Sequence, residues 1–402
     1  MNNLDLDKDR KDIRVVVAMS GGVDSSVVAG MLKRDGYETI GVTLQLYPRD
    51  NMAKKSGSCC SGQDVYDARR VCESIGIPHY VFDYKERFYN SVIVPFADSY
   101  IAGETPLPCV ECNRTVKFSD LLSFTRQLGA DILATGHYIR SSIHVGEDGV
   151  RRRIMCRPMD SAKDQSYFLF ATTKQQLCDL RFPLGDMKKE DVRKIAKEMG
   201  LKVADKSDSQ DICFVQNGRY SDLVKNLHKN SSLEGDIIHL DGTVLGRHKG
   251  IVDYTIGQRR GLGVSTGEPL FVVHMDADSA KVIVGPREAL EVNSIYLRDI
   301  NWLGDGFFED VATVGFKCFA KIRSSQDPVP VFVGKDINGF YVEFENGEEG
   351  VSAGQACVFY SSDSMEAIVL GGGFISYSKR SNEVEQMLFS ITGKDTFSHR
   401  TR

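Results

Sequence analysis

Long apolar runs are missing from this chain of 402 residues: stretches such as Val15–Met19 fall far short of the roughly 18 residues that a membrane-spanning helix needs. The opening, Met1–Arg14 (MNNLDLDKDRKDIR), lacks the apolar centre of a signal peptide and is too acidic for a transit peptide. A cytoplasmic protein with no membrane association is therefore expected. A positive net charge is lacking as well, since 50 Lys+Arg against 55 Asp+Glu leave −5. That excludes a histone-like binder but not an enzyme that holds RNA through local basic surface. The ten cysteines show no disulfide-scaffold spacing, and in a reducing compartment catalytic, metal-binding or plain core roles are favoured. Internal repeats and low-complexity tracts are absent too.

What is present is the composition of folded globular domains, 42% hydrophobic and 26% charged, with length for two to four of them. From Ile13 to Tyr138, short β-branched runs alternate with amphipathic stretches. Strands are expected at Arg14–Ala18, Thr39–Leu44, Pro78–Phe82 and Asp131–Ala134, and helices at Ser25–Arg34, Gln63–Ile75, Thr115–Leu128 and Lys189–Met199. Such alternation predicts a doubly wound parallel sheet that binds ligands beyond the C-terminal ends of its strands. The residues between Leu46 and Cys60 read as a mobile loop. Gly235–Val284, with short strands and Gly-rich turns, reads as a small central mixed domain. Beyond Arg287, strand-like runs at Val311–Ile322, Val329–Val333, Phe340–Phe344, Val351–Tyr360 and Glu366–Ile375 suggest an antiparallel β-barrel, with hairpin signals at Asn338-Gly339 and Asn346-Gly347. The expected organisation is an α/β first domain over 1–209, a central domain over 210–287, a barrel over 288–378 and a frayed polar tail over 379–402.

Three motifs carry chemistry. Ser20-Gly21-Gly22-Val23-Asp24-Ser25-Ser26 lies between an apolar strand and a helix, so its glycines, hydroxyls and helix N-terminus suit a phosphate group. It lacks the Gly-Lys-Ser/Thr of the Walker loop and resembles the PP-loop of ATP pyrophosphatases, which cleave ATP between the α and β phosphates; Asp24 would bind Mg²⁺ or orient the loop. Cys109-Val110-Glu111-Cys112 follows a proline-stiffened approach and places Cys112 near a helix start, with Arg114 and Lys117 nearby. Alone, this pair is equally a redox pair or half a metal site, although the helix start and the nearby cations would lower a thiol pKa there. Cys213, between Ile212 and Phe214, alone reads as core.

Taken together, AMSGGVDSS, TPLPCVECNRTVKF, LATGHY, KDQSYFLF, KSDSQDICF, YTIGQRRGLG and SAGQACVFY with LGGGFI run in order from Ala18 to Ile375. In these segments the chain resembles the bacterial tRNA-specific 2-thiouridylases of the MnmA type. The resemblance implies adenylation of the wobble uridine O2 by ATP, then displacement by sulfur. It implies Cys112 as nucleophile, Cys213 as persulfide carrier and a disulfide between them after transfer. It places ATP against Ala18, Met19, Ser20, Gly21, Gly22, Val23, Asp24, Ser25 and Gly136, with adenine on Leu44. It assigns tRNA contacts, in the anticodon stem-loop, to His137, Lys163, Asp164, Gln165, Arg323, Ser324 and Gln355. A cysteine desulfurase or sulfur-relay protein is the implied donor.

Two positions depart from the family pattern. Ser324 stands where other members often carry an aromatic, and Cys109 where some carry Asp. The second opens a rival route, a 4Fe-4S cluster held by Cys109, Cys112 and Cys213. Basic candidates for phosphate contacts are Arg151-Arg152-Arg153, Lys188-Lys189 and Arg259-Arg260, the last pair favoured by its Gly-rich loop. Cys59 and Cys60 have no assigned role.

Overall fold

The computed structural model of the protein describes residues 4–46, 62–146, 149–208, 212–215, 220–228 and 234–394. The expected mobile loop after Leu46, with Cys59 and Cys60, lies outside them apart from Leu46 itself, as does the expected domain break at Ser209. The chain forms two compact units, each assembled from separated segments. The first comprises Met1–Ile93, Pro108–Gly218 and Ser364–Val369; the second comprises Val94–Leu107, Arg219–Asp363 and Leu370–Arg402.

The first unit is built on a parallel sheet. The β-branched run of β1 (Arg14–Ala18) has three valines without solvent exposure, as expected of a strand covered on both faces. It pairs in parallel with β2 (Glu38–Gln45) on one side and β4 (Ile132–Ala134) on the other. β3 (His79–Asp83) adds beyond β2. A hairpin of β5 (Arg140–Val145) and β6 (Arg151–Cys156), unforeseen in the sequence, stands apart from the sheet. β7 (Leu180–Arg181) completes the order β3-β2-β1-β4-β7. The strand order reverses between β1 and β4, and a crevice opens at the carboxyl ends of strands at such a point. Helix α1 (Val23–Arg34) buries Val27, Val28, Ala29 and Leu32, and α2 (Gly62–Ile75) buries Ala68, Val71 and Cys72 in the same core.

In the second unit, β8 (Gly235–His239), β9 (Val244–His248), β10 (Phe271–Asp276) and β11 (Lys281–Gly285) form a four-stranded mixed sheet ordered β10-β11-β8-β9. Six further strands close a barrel: β12 (Glu291–Trp302), β13 (Phe316–Lys321), β14 (Val329–Asp336), β15 (Gly339–Glu349), β16 (Ala356–Tyr360) and β17 (Val369–Lys379). Alternate residues such as Val331 and Val333, Val342 and Phe344, Cys357 and Phe359 fill its interior, the period of two that a strand imposes. The α/β domain, central mixed sheet and antiparallel barrel expected from the sequence are all present.

Four local readings differ. Val311–Ile322 is not one strand: Phe308–Val314 is helical, Gly315 turns at φ +83°, and only then does β13 begin. Its β-branched valines read as strand, but Phe308 packs against Phe340, Phe359 and Trp302, and tertiary packing overrides propensity. Asn346-Gly347 makes no hairpin, since β15 runs through it to Glu349; the register with β12 shifts near Val292 instead. The expected frayed tail is, over its described residues up to 394, an ordered helix, and 395–402 lie outside the described residues. Ser381 caps a helix over Asn382–Thr392 by accepting from the Val384 N–H, and Leu388 is fully buried against Leu240, Val273 and Ile283. Last, the helix expected over Thr115–Leu128 begins earlier. A short turn at Pro108–Glu111 runs without a break into a π-helical stretch, Cys112–Asp120, and then into Leu121–Gln127.

Candidate nucleotide cleft and thiol-bearing helix

The turn after β1 is shaped by glycine. Gly21 has φ +72°, and a Cβ there would lie 2.2 Å from the Asp64 carbonyl oxygen, a backbone atom that cannot swing away. Ser25 Oγ accepts from the Ser20 N–H at 3.1 Å and lies 3.1 Å from Ser20 Oγ, so the two hydroxyls close the turn over the start of α1. The Ser26 hydroxyl is spent internally, donating to the Gly22 carbonyl at 2.7 Å. Gly136, after β4, brings a second loop against the first: its Cβ would sit 2.8 Å from the Ser25 nitrogen.

Between these loops lies a cleft of about 420 Å³, within the range of small-molecule sites. Met19, Val42, Leu44, Leu46 and Leu121 line its apolar part; Ser20, Gly22, Asp24 and Ser25 line its polar end. Ala18, Val23 and Gly136 line it too. Gly21 supports it from behind, its carbonyl accepting from Lys206 Nζ at 2.9 Å. His137, Lys163, Asp164 and Gln165, which the resemblance gives to tRNA, line the same cleft.

The polar end is dense with charge. Lys189 Nζ lies 2.8 Å from an Asp24 carboxylate oxygen and 2.8 Å from one of Asp208. Tyr138 donates its hydroxyl to Asp24 at 2.9 Å, and burial together with that carboxylate pushes the phenol well above its ordinary range. Asp208 also meets Lys163 at 2.6 Å and Arg193 at 3.0 Å. Burial alone would raise the Asp208 carboxyl, yet hydrogen bonds from Lys163 and Lys189 hold it below its usual value. Lys206 is shared by Asp64 at 2.6 Å and Asp67 at 2.7 Å. Burial, aided by the charge of Lys117, pushes the His137 imidazole down to about 3, so it is neutral at physiological pH; it lies 2.8 Å from Thr135 Oγ1. Asp164 is locked in a buried pair with Arg157 at 3.0 Å, and Gln165 accepts from the Tyr138 N–H at 2.8 Å. Their side chains thus fix the loop around the cleft.

The cysteine helix corrects one expectation. Because the helical run starts at Pro108, the first-turn position belongs to Cys109, which is exposed, while Cys112 lies one turn inside and is buried. A dipole's influence fades within that turn. Arg114 is engaged by Glu111 at 2.8 Å. Cys213 is half-buried beside Phe214, whose ring meets Phe88 edge-on. All described cysteines are outside disulfides. Among the described residues no three His, Cys, Asp or Glu side chains are grouped to hold a metal ion, so the three thiols of the cluster route do not form a ready donor set.

The remaining positions lie in the second unit. Arg323 donates to the Glu349 carbonyl and, at 3.1 Å, to Glu348. Gln355 donates to the Thr105 carbonyl at 2.8 Å. Ser324, Arg259 and Arg260 are exposed. Of the other basic candidates, Arg153 is buried on Asp5 at 2.9 Å and Lys189 belongs to the cleft; neither is a surface phosphate contact. Sequence reasoning gave no role to Lys206, Asp208, Asp64 or Tyr138. The first two stand in KSDSQDICF, but no spacing rule marks a lysine that reaches back to Gly21.

A parallel sheet with a Ser-Gly-Gly turn at its switch point, followed by a four-stranded sheet and a closed barrel, defines a nucleotide-binding α/β protein with appended β domains. Residues 13–217 match the family described as tRNA methyl transferase HUP domain, 221–286 its PRC-barrel domain, and 292–375 the aminomethyltransferase beta-barrel domain. The chain is 59% identical over 394 residues, 98% of its length and 99% of the relative's, to the tRNA-specific 2-thiouridylase MnmA of Agrobacterium fabrum. It is 60% identical over 391 residues, 97% of its length and 98% of the relative's, to that of Rhizobium meliloti. The chain belongs to the tRNA-specific 2-thiouridylase family. None of the described helices is long and apolar enough to cross a membrane.

Proposed function

We propose that this protein is a tRNA-uridine 2-sulfurtransferase that uses ATP to replace the C2 oxygen of the wobble uridine with sulfur. The observation that carries the reading is that one cleft gathers the Ser20–Ser25 turn, Gly136 and the Lys163–Gln165 loop, in a chain aligned end to end with 2-thiouridylases. A carbonyl oxygen is a poor leaving group. Transfer of the adenylyl group to O2, with departure of pyrophosphate, makes it displaceable. The turn and the α1 N-terminus receive the phosphates, Leu44 and its apolar neighbours the adenine, and Lys189 offers charge to the transferring phosphoryl group. Asp24, the carboxylate at the turn, would hold the Mg²⁺ of the nucleotide, which would neutralise part of the phosphate charge.

Sulfur then comes from a persulfide on Cys213, charged by a cysteine desulfurase or a relay protein. Its terminal sulfur attacks C2 and AMP leaves. Cys112 attacks the Cys213 sulfur, releasing the 2-thiouridine and forming a Cys112–Cys213 disulfide, which a thiol reductant must open before the next turnover. His137, neutral, offers a hydrogen bond without a charge to the entering base. Anaerobic thiolation of an unmodified tRNA transcript is the test. Cys112→Ala and Cys213→Ala should abolish thiolation, Cys109→Ala should retain it without iron, and pyrophosphate release should require unmodified tRNA. Loss of activity in all three variants, with iron co-purifying, would establish the cluster route instead.

A further inference from the structure

Sulfur transfer through Cys112 and Cys213 leaves a bond that is hard to reach. Their disulfide would join a cysteine that is 6% exposed to one that is half-buried, and a reductant must bring its own thiolate in line with that bond to open it. A protein reductant would meet the outer flank of the thiol-bearing helix before it met Cys112.

Cys109 occupies that flank. It is exposed between the buried Pro108 and Val110, in the opening turn of the helical run that carries Cys112. Residues three apart in a helix are neighbours, with Cβ atoms about 5–6 Å apart, and a disulfide draws such atoms to about 4 Å. Rotation of two short side chains and adjustment of the opening turn, where a helix is least tied by its own hydrogen bonds, supply that closure. The chain beyond Cys112 is anchored. Asn113, 4% exposed, donates its amide to the Phe168 carbonyl at 3.2 Å, and Val116 and Phe118 are fully buried. At Cys112 the backbone also passes from α-helical to π-helical register, an irregularity that recurs at functional sites. Cys178 is the other exposed cysteine among the described residues, and it lies on a different helix, Lys174–Asp179.

Resting on the persulfide reading above, we propose that Cys109 is the resolving thiol of the cycle: it converts the Cys112–Cys213 disulfide into a Cys109–Cys112 disulfide at the surface. The Cys109 thiol gives its proton to water, and its sulfur attacks the Cys112 sulfur. The Cys112–Cys213 bond breaks, and the Cys213 sulfur leaves with the electron pair and takes up a proton. One S–S bond forms as another opens, so this step involves no net oxidation. The two electrons come afterwards from the thiol reductant that the cycle already requires, which now meets an exposed sulfur. Cys213 is thereby ready for its next persulfide while Cys112 is still oxidised. The Cys-x-x-Cys spacing is the one that dithiol oxidoreductases use.

The test uses the full chain purified without iron, charged at Cys213 by a cysteine desulfurase with cysteine and then freed of excess sulfur. After one turnover on unmodified tRNA with ATP and Mg²⁺, acid quenching, alkylation and mass spectrometry should find Cys109 joined to Cys112 and Cys213 alkylated in the wild type. In Cys109→Ser, Cys112 should be joined to Cys213. The single-turnover rate should agree within twofold between the two proteins. Repeated turnover with a thioredoxin-type dithiol protein as reductant should be at least fivefold slower in Cys109→Ser, and a small phosphine, which reaches enclosed disulfides, should restore it. A merely structural cysteine would instead change the single-turnover rate. A wild type that ends with Cys112 joined to Cys213 and Cys109 alkylated, or equal repeated turnover in the two proteins, would overturn the proposal. If thiolation proceeds and neither disulfide forms, the persulfide reading itself fails.

Discussion

The cleft of the first unit and the barrel of the second use their polar side chains in opposite ways. Around the cleft, Lys189, Lys163 and Asp208 converge on a space large enough for a ligand and meet one another there. In the barrel unit, Gln355 and Arg323 turn inward to their own unit's backbone, at Thr105 and Glu349, and Arg298 forks onto Glu104 at 2.8 and 2.7 Å. A site reads as such when several charged groups point at shared space; the same residue types paired one to one with backbone serve as fasteners. The first unit is built to handle charge, and the second to hold shape and offer an exposed basic loop.

Interventions should therefore separate the two regions. The largest effect is expected at Gly136→Ala, whose methyl would press on the Ser25 nitrogen at 2.8 Å. Nucleotide affinity should fall at least a hundredfold, while the fluorescence of Trp302, the chain's single tryptophan and part of the barrel, stays put; a shifted spectrum would mean that the regions are not independent.

Acid comes next. Burial, with the Arg69 charge, pushes His79 down to about 4, as burial does His137 to about 3. Unfolded imidazoles take up protons near pH 6.5, so between that pH and the folded values the unfolded state binds more protons. Stability is full above about 6.5 and lost as the pH falls through that window, by roughly 2 kcal/mol for His137 at pH 5 and by less for the partly exposed His79. Amide exchange in the first unit should accelerate before Trp302 responds, and exchange that is equal at pH 7 and pH 5 would show that these rings protonate in place.

Smaller still, Arg298→Leu strands Glu104, whose side chain is 11% exposed, and should lower barrel stability by about 2 kcal/mol with nucleotide affinity unaltered. Arg259→Ala or Arg260→Ala should weaken tRNA binding severalfold and reduce the salt slope by about one each. Least of all, Arg323→Ala should change tRNA affinity less than twofold; a larger loss would return that guanidinium to the RNA surface.

Legibility followed the same divide. The turn at Ser20–Ser26 could be read because glycine's φ and the helix end act through backbone, which local sequence specifies. The alternation of strands and helices exposed the parallel sheet for the same reason. Lys206 reaching Gly21, or Asp208 gathering cations from Lys163 and Lys189, depends on chain separations that no local pattern encodes. Phe308–Val314 was misread because its valines favour strands in isolation, whereas aromatic packing under Phe308 settles the outcome. The helix start at Pro108 was missed because a proline-flanked Cys-x-x-Cys reads as a loop, although proline suits a first helical turn.

The interleaving of segments also bears on biosynthesis. Ser364–Val369 lies late in the chain yet belongs to the first unit, where Arg140 and Arg157 donate to the carbonyls of Met365 and Ser364 and the Ala367 carbonyl accepts from the Arg157 N–H. Arg157 is also the clamp on Asp164. A ribosome must release nearly the entire polypeptide before Arg157 can reach Ser364 and Ala367, so a prematurely terminated product lacks these late anchors behind the Arg157–Asp164 pair.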